Sequence, residues 1–372
     1  MSKSFVNKVL VGGALAAGAA VWAIAPRTFS DKRRNYVPAV PEVWYAHRGL
    51  HDAGSGLTAQ YASESGEYVA LARRMAMKAG YGSPSVVGAI APENSLAAFA
   101  AACEAGYGIE LDLQMTADGE IVVVHDGDLM RVAGDPRRVA DLTYDELTRI
   151  PLFPTDAPGA AVAAPLSGSL EKPPLVTTPD SAPDGYFQHV PLFADVLKVV
   201  AGRVPLIVEY KFDDNSKWGP RDVELMEKGD ALLQAYSGAY VIESFNPAAV
   251  NWYKENRPEV CRGQLSWWPQ GEEKPSDPGA LAKEYAAGAL IFDWISRPDF
   301  VAYDWHGGNS PQVRLARFMG AVPVSWTVRS RDEYAQCSDQ FDRHPMEFEP
   351  RIRISGMALG FEPRALFCTT TM

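Results

Sequence analysis

The feature of this sequence that most constrains its fold is a regular alternation between short apolar runs and segments with helical periodicity. Such alternation is typical of βα units, in which successive strands lie parallel and helices cover them. Eight strands are predicted, which is the number in a TIM (β/α)8 barrel. They are Val43–Arg48, Gly108–Met115, Val204–Lys211, Ala239–Ser244, Arg262–Trp267, Ala289–Trp294, Val322–Val328 and Met346–Glu349.

The length of the chain leaves room for more than a barrel. A barrel of this type occupies about 250 residues, and the chain has 372. The predicted organisation is an N-terminal segment at 1–35, a linker at 36–42, a barrel at 43–350 with insertions at 53–91 and 153–186, and a tail at 351–372. Connections as long as the two insertions are functional lids or flexible excursions rather than barrel wall. An extra run, Glu120–His125, follows an Asp-Gly turn and predicts a hairpin.

The N-terminal segment contains an uncharged run of 17 residues, Val9–Ala25, with basic residues on both sides. This length is near the lower limit for crossing a bilayer. We therefore expect a hydrophobic anchor helix that places the protein at the cell membrane. The alternative is secretion after signal cleavage, because the Ala-Ile-Ala triplet at 23–25 fits a cleavage site, although Pro26 disfavours cleavage there. The flanking charges leave the orientation open.

Beyond residue 36 the chain is strongly acidic, with 29 basic and 45 acidic residues and a net charge of −16. A surface of this sign repels polyanions, which argues against nucleic acid as a partner. The four cysteines are far apart and show no metal-type spacing. The sequence leaves the oligomeric state open.

Carboxylates alternate with apolar residues along two predicted strands. In Gly108–Met115, the apolar side chains share one face and Glu110 and Asp112 share the other, which points inward in a barrel. The third predicted strand places Glu209 and Lys211 inward in the same way. Three inward carboxylates are typical of a site for Ca²⁺ or Mg²⁺. An amphipathic edge strand and a structural Glu-Lys ion pair would give the same patterns.

Two histidines lie where strands end and loops begin, which is where barrel enzymes hold their chemistry. His47 and Arg48 close the first strand, and His125 closes the hairpin run. A single histidine in such a position is as often structural, but two of them beside an arginine and three carboxylates indicate a site. Phosphodiester cleavage needs these parts: a cation for the phosphoryl oxygens, basic side chains that hold them, and an acid and a base.

Five motifs in chain order resemble one known family. They are AHRG at 46–49, APENSLAAF at 91–99, IELDLQMTADGEIVVVHD at 109–126, IVEYK at 207–211 and VSWTVR at 324–329. Together they resemble the glycerophosphodiester phosphodiesterase family over about three quarters of the chain. The resemblance implies a TIM barrel that hydrolyses glycerophosphodiesters to an alcohol and glycerol phosphate, in lipid and glycerol metabolism.

The resemblance also implies roles for nine residues. They are His47 and His125 as acid and base, Glu110, Asp112 and Glu209 as ligands of Ca²⁺ or Mg²⁺, Glu93 as a ligand or a neighbour of the ligands, and Arg48, Lys211 and Trp326 as phosphate and substrate contacts. Which histidine is the acid stays open. Either water or the substrate's own 2-hydroxyl group attacks the phosphorus first.

The chain departs from the family pattern in two places. Most relatives join HRG to PEN by a short loop, whereas a long insertion separates Gly49 from Glu93 here. The usual closing Thr-Asp-Arg-Pro element is replaced by FDRHPMEFEP at 341–350, which leaves the eighth strand open. Two alternatives remain: a lipid phosphodiesterase of lysophospholipase D or phosphatidylinositol phospholipase C type, which the anchor favours, and a non-catalytic membrane-bound barrel, which the complete motif set disfavours.

Overall fold

A computed structural model describes residues 17–27, 39–57, 62–84, 88–153, 188–215, 217–269 and 274–350. Several predicted segments therefore lie outside the described residues. These are residues 9–16 of the predicted anchor, 36–38 of the linker, all but the first residue of the insertion at 153–186, and the tail at 351–372.

Eleven strands form in the described part of the chain. They are β1 Tyr45–Ala46, β2 Gly108–Met115, β3 Ile121–Val123, β4 Asp128–Leu129, β5 Asp135–Arg138, β6 Leu206–Tyr210, β7 Tyr240–Ser244, β8 Arg262–Ser266, β9 Phe300–Asp304, β10 Val322–Trp326 and β11 Pro345–Met346.

Helices connect these strands. They are α1 Ala62–Lys78, α2 Leu96–Ala105, α3 Met130–Ala133, α4 Tyr144–Leu147, α5 Phe193–Val200, α6 Pro220–Gln234, α7 Pro247–Asn256, α8 Pro278–Gly288, α9 Asp293–Ser296, α10 Pro311–Phe318 and α11 Arg331–Cys337, with 3₁₀ turns at Val139–Asp141 and Trp305–Gly307. Residues 17–24 are also helical.

Eight of the strands form one parallel sheet in the order β10, β9, β8, β7, β6, β2, β1, β11. Two isolated parallel bridges, Val324 to Arg343 and Val328 to Met346, join its two edges and close the ring. The predicted TIM (β/α)8 barrel is confirmed. The short strand β3 pairs antiparallel with β2 outside this ring, as the hairpin prediction requires.

Apolar side chains fill both sides of the barrel wall. One cluster inside the barrel includes Tyr45, Ile207, Val241 and Phe300. Gly263 faces the Phe300 ring so closely that a Cβ atom there would overlap it, which explains a glycine in the middle of β8. The outward faces of the strands pack against the helices, as the alternation in β2 predicts.

One predicted strand is wrong. Residues 289–294 do not pair with the sheet. Residues 289–292 connect α8 to α9, residues 293 and 294 begin α9, and Leu290 adopts a positive φ of 58°. The sixth strand of the ring is instead β9, Phe300–Asp304. Within this run, Leu290 is buried beside Val301 on the outer wall and Trp294 stacks on Trp22, whereas Ile291 is exposed. The hydrophobicity of the run therefore reflects contacts outside the barrel rather than a strand.

The eighth strand is shorter and begins earlier than the predicted Met346–Glu349. Only Pro345 and Met346 pair, in register with Tyr45 and Ala46 of β1. A proline at the first position of a strand is tolerated because the sheet there needs no N–H donor.

The insertion at 53–91 is largely an added helix. Its α1 buries Tyr68, Val69 and Ala72 in the same core as Ala98 of α2. In helix α2, Ser95 caps the start by accepting a hydrogen bond from the Ala98 N–H, and Gly106 ends the helix in the left-handed conformation. The predicted lid function of the insertion stays a prediction.

The helical residues 17–24 pack against the outer wall of the barrel. Ile24 is buried beside Leu290 and Val301. The Arg297 guanidinium donates hydrogen bonds of 2.6 Å to the carbonyl oxygens of Trp22 and Ala25 and lies 4.7 Å from the Trp22 ring centre. Among the described residues, no helix has both the length and the apolar character that crossing a bilayer requires.

Candidate active site

The predicted site residues come together at the carboxyl ends of the barrel strands. His47 and Arg48 directly follow β1, and Lys211 directly follows β6. Contacts link them: His47 lies 3.8 Å from Glu110, and Lys211 lies 3.2 Å from Asp112. The barrel therefore joins side chains from distant parts of the sequence into one polar cluster.

Three neighbouring strands place carboxylates side by side. Asp112 of β2 is in register with Glu209 of β6, which is in register with Glu243 of β7. Glu110, Glu209 and Glu243 each place one carboxylate oxygen within 4.8 Å of the other two. All four carboxylates are buried, and Glu110, Asp112 and Glu209 are the three that the sequence predicts to point inward.

Asp112 is held by donors from three directions. It accepts a hydrogen bond of 2.8 Å from the Asn94 side chain, and it forms ion pairs of 3.2 Å with Lys211 and 3.6 Å with Arg48. Burial raises the pKa of Asp112, but Lys211 and Arg48 outweigh burial and hold this pKa well below its usual value. Asp112 is therefore a charged carboxylate.

The other carboxylates have fewer donors around them than Asp112 has. Burial raises the pKa of Glu209 to about 7, although Lys211 at 2.7 Å opposes the shift. Burial and the neighbouring acids raise the pKa values of Glu110 and Glu243 well above their ordinary value. Within the described residues, Glu209 Oε1 and Glu243 Oε2 are buried without a hydrogen-bond partner. Buried charged oxygens are stabilised by a cation, so this donor set fits a hard divalent metal such as Ca²⁺ or Mg²⁺.

His47 is oriented by a carboxylate that the motifs did not include. Its Nδ1 lies 2.6 Å from Glu347 Oε1, and its Nε2 lies 3.4 Å from the Thr327 hydroxyl. Burial and Arg48 lower the pKa of His47 to about 4, although Glu347 raises it. The imidazole is therefore neutral at pH 7, and a neutral ring whose Nδ1–H donates to Glu347 presents Nε2 as a proton acceptor.

His125 has an equivalent partner. Its Nδ1 lies 2.6 Å from Asp126 Oδ1, and Arg131 donates a 2.6 Å hydrogen bond to the other Asp126 oxygen. Burial, Arg48 and Lys211 lower the pKa of His125. The side chain is 31% exposed, so it reaches the solvent-accessible side of the cluster.

Glu93 binds arginines. Arg131 donates hydrogen bonds of 2.9 and 2.6 Å to its two oxygens, and Arg48 donates one of 3.0 Å. Burial raises the pKa of Glu93, but the two arginines outweigh burial and hold this pKa well below its usual value. Glu93 therefore positions Arg48, whose backbone has a positive φ of 57° and donates a 3.0 Å hydrogen bond to Glu110.

An aromatic wall borders Lys211. Its ammonium lies 5.7 Å from the Phe245 ring centre, and Phe245 contacts Trp326 edge to face at 5.6 Å. The Trp326 indole donates a 3.3 Å hydrogen bond to the Ala302 carbonyl. The predicted substrate contact Trp326 thus lies beside the cluster, and it reaches Lys211 through Phe245.

The start of the insertion also enters the site. The Ser55 hydroxyl donates a 2.6 Å hydrogen bond to Glu347, and the Ser55 N–H donates one of 2.5 Å to Glu93. These two contacts connect the start of the insertion to the PEN motif and to the segment that follows the last strand. Ser55 thus brings the start of the insertion into contact with the candidate site.

Four charged residues of this network were not predicted from the sequence: Asp126, Arg131, Glu243 and Glu347. The same holds for the uncharged contacts Asn94, Ser55, Thr327 and Phe245. The sequence did contain a signal for Glu243. In the run Tyr240–Ser244, Val241 and Glu243 share one face and Ile242 lies on the other, which is the alternation that places the carboxylates of β2 inward. Asp126 was visible beside His125 in the HD motif. Arg131 and Glu347 lie in segments without a clear period, and only the fold brings them to Glu93 and His47.

Comparison with known proteins agrees with this geometry. A family model described as the glycerophosphoryl diester phosphodiesterase family matches residues 87–341. A glycerophosphodiester phosphodiesterase of Caldanaerobacter subterraneus is 45% identical over 60 residues, which are 16% of this chain and 25% of that protein. Glycerophosphodiester phosphodiesterase 1 of Bos taurus is 43% identical over 61 residues, 16% of this chain and 18% of that protein. The chain thus matches about a quarter or less of the length of these curated relatives.

Solved structures share the fold. A phosphodiesterase of Oleispira antarctica, crystallised with the product sn-glycerol-3-phosphate, superposes with a TM-score of 0.52 and 15% identity, covering 83% of this chain and 93% of that chain. At this identity the likeness establishes the barrel fold alone.

Proposed function

This chain belongs to the glycerophosphoryl diester phosphodiesterase family, and we propose that it hydrolyses glycerophosphodiesters to an alcohol and glycerol phosphate. One observation carries the proposal: two histidines, each fixed by a carboxylate, share a barrel end with Arg48, Lys211 and a cluster of buried acids. The same-fold neighbour from Oleispira antarctica holds sn-glycerol-3-phosphate, which is the product expected here.

We propose that Glu110, Asp112 and Glu209 hold one divalent cation, Ca²⁺ or Mg²⁺. The support is the burial of all three carboxylates and the position of Glu209 Oε1, which has no hydrogen-bond partner among the described residues. When bound, such a cation polarises the phosphoryl oxygens of the substrate. Glu93 acts outside this ligand set, through the arginines that it binds.

Arg48 and Lys211 are the proposed phosphate contacts. Arg48 is buried and Lys211 is half-buried, and both form ion pairs with carboxylates of the cluster. A guanidinium and an ammonium beside the cluster favour an anionic group there, because charge-assisted hydrogen bonds are the stronger ones. Trp326 and Phe245 then line the side on which the rest of the substrate lies.

The two histidines supply one base and one acid. A neutral His47 accepts a proton at Nε2, since Glu347 keeps its Nδ1–H engaged. His125 is fixed in the same manner by Asp126. The base takes the proton of the attacking hydroxyl, either water or the substrate's 2-hydroxyl, while the acid protonates the leaving alcohol.

We propose that the N-terminal segment anchors the protein to the cell membrane, with secretion after signal cleavage as the alternative. The docking point of residues 17–24 supports a particular arrangement. Arg297 precedes β9, and its carbonyl oxygen accepts a hydrogen bond from Arg262, the first residue of β8. The segment therefore meets the barrel at the amino ends of the strands, and the catalytic cluster lies at the carboxyl ends.

This arrangement favours a water-soluble substrate over the lipid alternatives. An anchor at the amino ends of the barrel strands turns the opening of the site away from the bilayer. Lysophospholipid or phosphatidylinositol in that bilayer would then lie on the side of the barrel opposite the site. A non-catalytic role is disfavoured because both histidines, each paired with a carboxylate, lie at the same barrel end as the buried acids.

The test is hydrolysis by the full chain in detergent, with Ca²⁺ or Mg²⁺, of glycerophosphocholine, glycerophosphoethanolamine and lysophosphatidylcholine. We expect choline or ethanolamine release, with the phosphorus product identified by ³¹P NMR as glycerol phosphate or its cyclic precursor. Absence of turnover on every diester would refute the proposed activity.

The anchor is tested with the full chain in phosphatidylcholine vesicles. The protein should sediment with the vesicles, and a variant without residues 1–35 should not. Added glycerophosphocholine should be hydrolysed faster than lysophosphatidylcholine held in the same bilayer. The opposite preference would contradict the arrangement and favour the lipid phosphodiesterase alternative.

A further inference from the structure

Glu243 is a buried carboxylate to which neither the motifs nor the proposed mechanism assigns a role. It lies on β7, next to Glu209 of β6 in register, and is 3% exposed. We propose that Glu243 is an additional ligand of the divalent cation and that it shifts the preference of the site toward Ca²⁺. The inference rests on the proposed function, because it extends the metal site described there.

The spacing of the oxygens fits one cation. Glu110, Glu209 and Glu243 offer oxygens that lie within 4.8 Å of one another. Calcium binds oxygens at about 2.3–2.6 Å, so two of its ligands lie up to about 5 Å apart. A single ion therefore reaches all three carboxylates from one position.

The surroundings of Glu243 leave its oxygen without another partner. Glu243 Oε2 is buried and accepts no hydrogen bond from any described residue. Its register neighbour on β8 is Gly263, which has no side chain to donate one. Lys211 is engaged by Asp112 and Glu209 at 3.2 and 2.7 Å. Burying an unpaired carboxylate is unfavourable in free energy, and a cation shared with the neighbouring carboxylates offsets that penalty.

An additional carboxylate changes the selectivity of the site. Ca²⁺ takes six to eight oxygen ligands in flexible geometry, whereas Mg²⁺ requires a near-octahedral shell and retains several waters. Glu243 adds protein oxygens and negative charge that the larger ion uses more fully. Its loss should therefore weaken Ca²⁺ binding more than Mg²⁺ binding.

The experiment is calorimetric titration of the chelator-treated full chain with CaCl₂ and with MgCl₂. Glu243→Gln should weaken Ca²⁺ binding about 10–100-fold, the range seen for changes around metal ligands, with a smaller effect on Mg²⁺. The matched control is Glu349→Gln, which alters a buried carboxylate that accepts hydrogen bonds from the Tyr107 hydroxyl and should leave both affinities unchanged.

Several results would overturn the inference. One such result is a folded Glu243→Gln variant that binds Ca²⁺ with wild-type affinity. A raised KM in that variant would then indicate a substrate contact, and a lowered thermal midpoint alone would indicate a structural residue. If that variant does not fold, Glu243→Asp retains the charge with a shorter reach and should bind Ca²⁺ more weakly; unchanged affinity there would also overturn it. A wild-type chain that binds Ca²⁺ but hydrolyses no diester would refute the proposed activity alone.

Discussion

The Nδ1 atom of His47 lies 2.6 Å from Glu347 Oε1, although 300 positions separate the two residues in the chain. The contact joins the first barrel strand to the last. Arg329 donates a 2.9 Å hydrogen bond to the other oxygen of Glu347, which keeps this carboxylate charged. Glu347 is therefore a positioning residue that fixes the ring and the tautomer of His47.

Removing that charge should change both rate and pH profile. Glu347→Gln should lower kcat by about 10²–10⁴-fold, as in other carboxylate–histidine pairs. Because Glu347 raises the pKa of His47, the acid limb of the kcat profile should also move to lower pH. Stopped assays from about pH 2.5 to 9, a range that extends below the His47 pKa of about 4, measure both effects. A reduced rate with an unmoved acid limb would indicate a structural role only.

The two histidines should each be needed for turnover. His47→Ala and His125→Ala are expected to lower kcat by about 10²–10⁴-fold, the usual contribution of a positioned acid or base. Circular dichroism should remain that of the wild type, and added metal should restore neither variant. Normal turnover in both variants would exclude the proposed acid and base.

The sequence predicts the barrel well because each strand carries its own apolar pattern. It fails at 289–294, where an apolar run packs against the N-terminal segment and the outer wall rather than pairing as a strand. Local hydrophobicity does not distinguish these two kinds of burial.

Some residues of the candidate site could be predicted from the sequence and others could not. Glu110, Asp112 and Glu209 are readable from alternation within a strand. Glu347 follows a strand of only two residues, and its segment shows no alternation of polar and apolar side chains. Its partner His47 is therefore identified only when the first and last strands pair and close the barrel. Long-range contacts of this kind have no local signal.

The insertion should limit substrate size and also contribute stability. Replacing residues 58–88 by a short turn removes the buried Tyr68, Val69 and Ala72 of α1, so the urea midpoint should fall. If the insertion is a lid, the folded variant should accept bulkier lipid diesters. Relative rates on glycerophosphocholine and lysophosphatidylcholine measure this, and an unchanged ratio would refute the lid.

His344 should make the fold acid-sensitive. Burial and Arg343 lower its pKa from 6.5 to about 4, so the unfolded chain binds a proton first as the pH falls. The free energy of unfolding therefore falls as the pH is lowered from about 6.5 to 4, by at most about 1.4 kcal/mol per pH unit. His344→Gln should show a shallower loss in urea unfolding at pH 7.5, 6 and 5. Equal slopes for the two proteins would contradict the assignment.

The central claim is that buried carboxylates hold a catalytic cation while His47 and His125 handle protons. The most direct measurement titrates Ca²⁺ or Mg²⁺ into EDTA-treated enzyme and follows choline release from glycerophosphocholine. We predict no activity without metal, full recovery in the wild type, and partial recovery at high metal concentration for Asp112→Asn, because a weakened site still fills by mass action. Full activity of the wild type in EDTA would contradict the account.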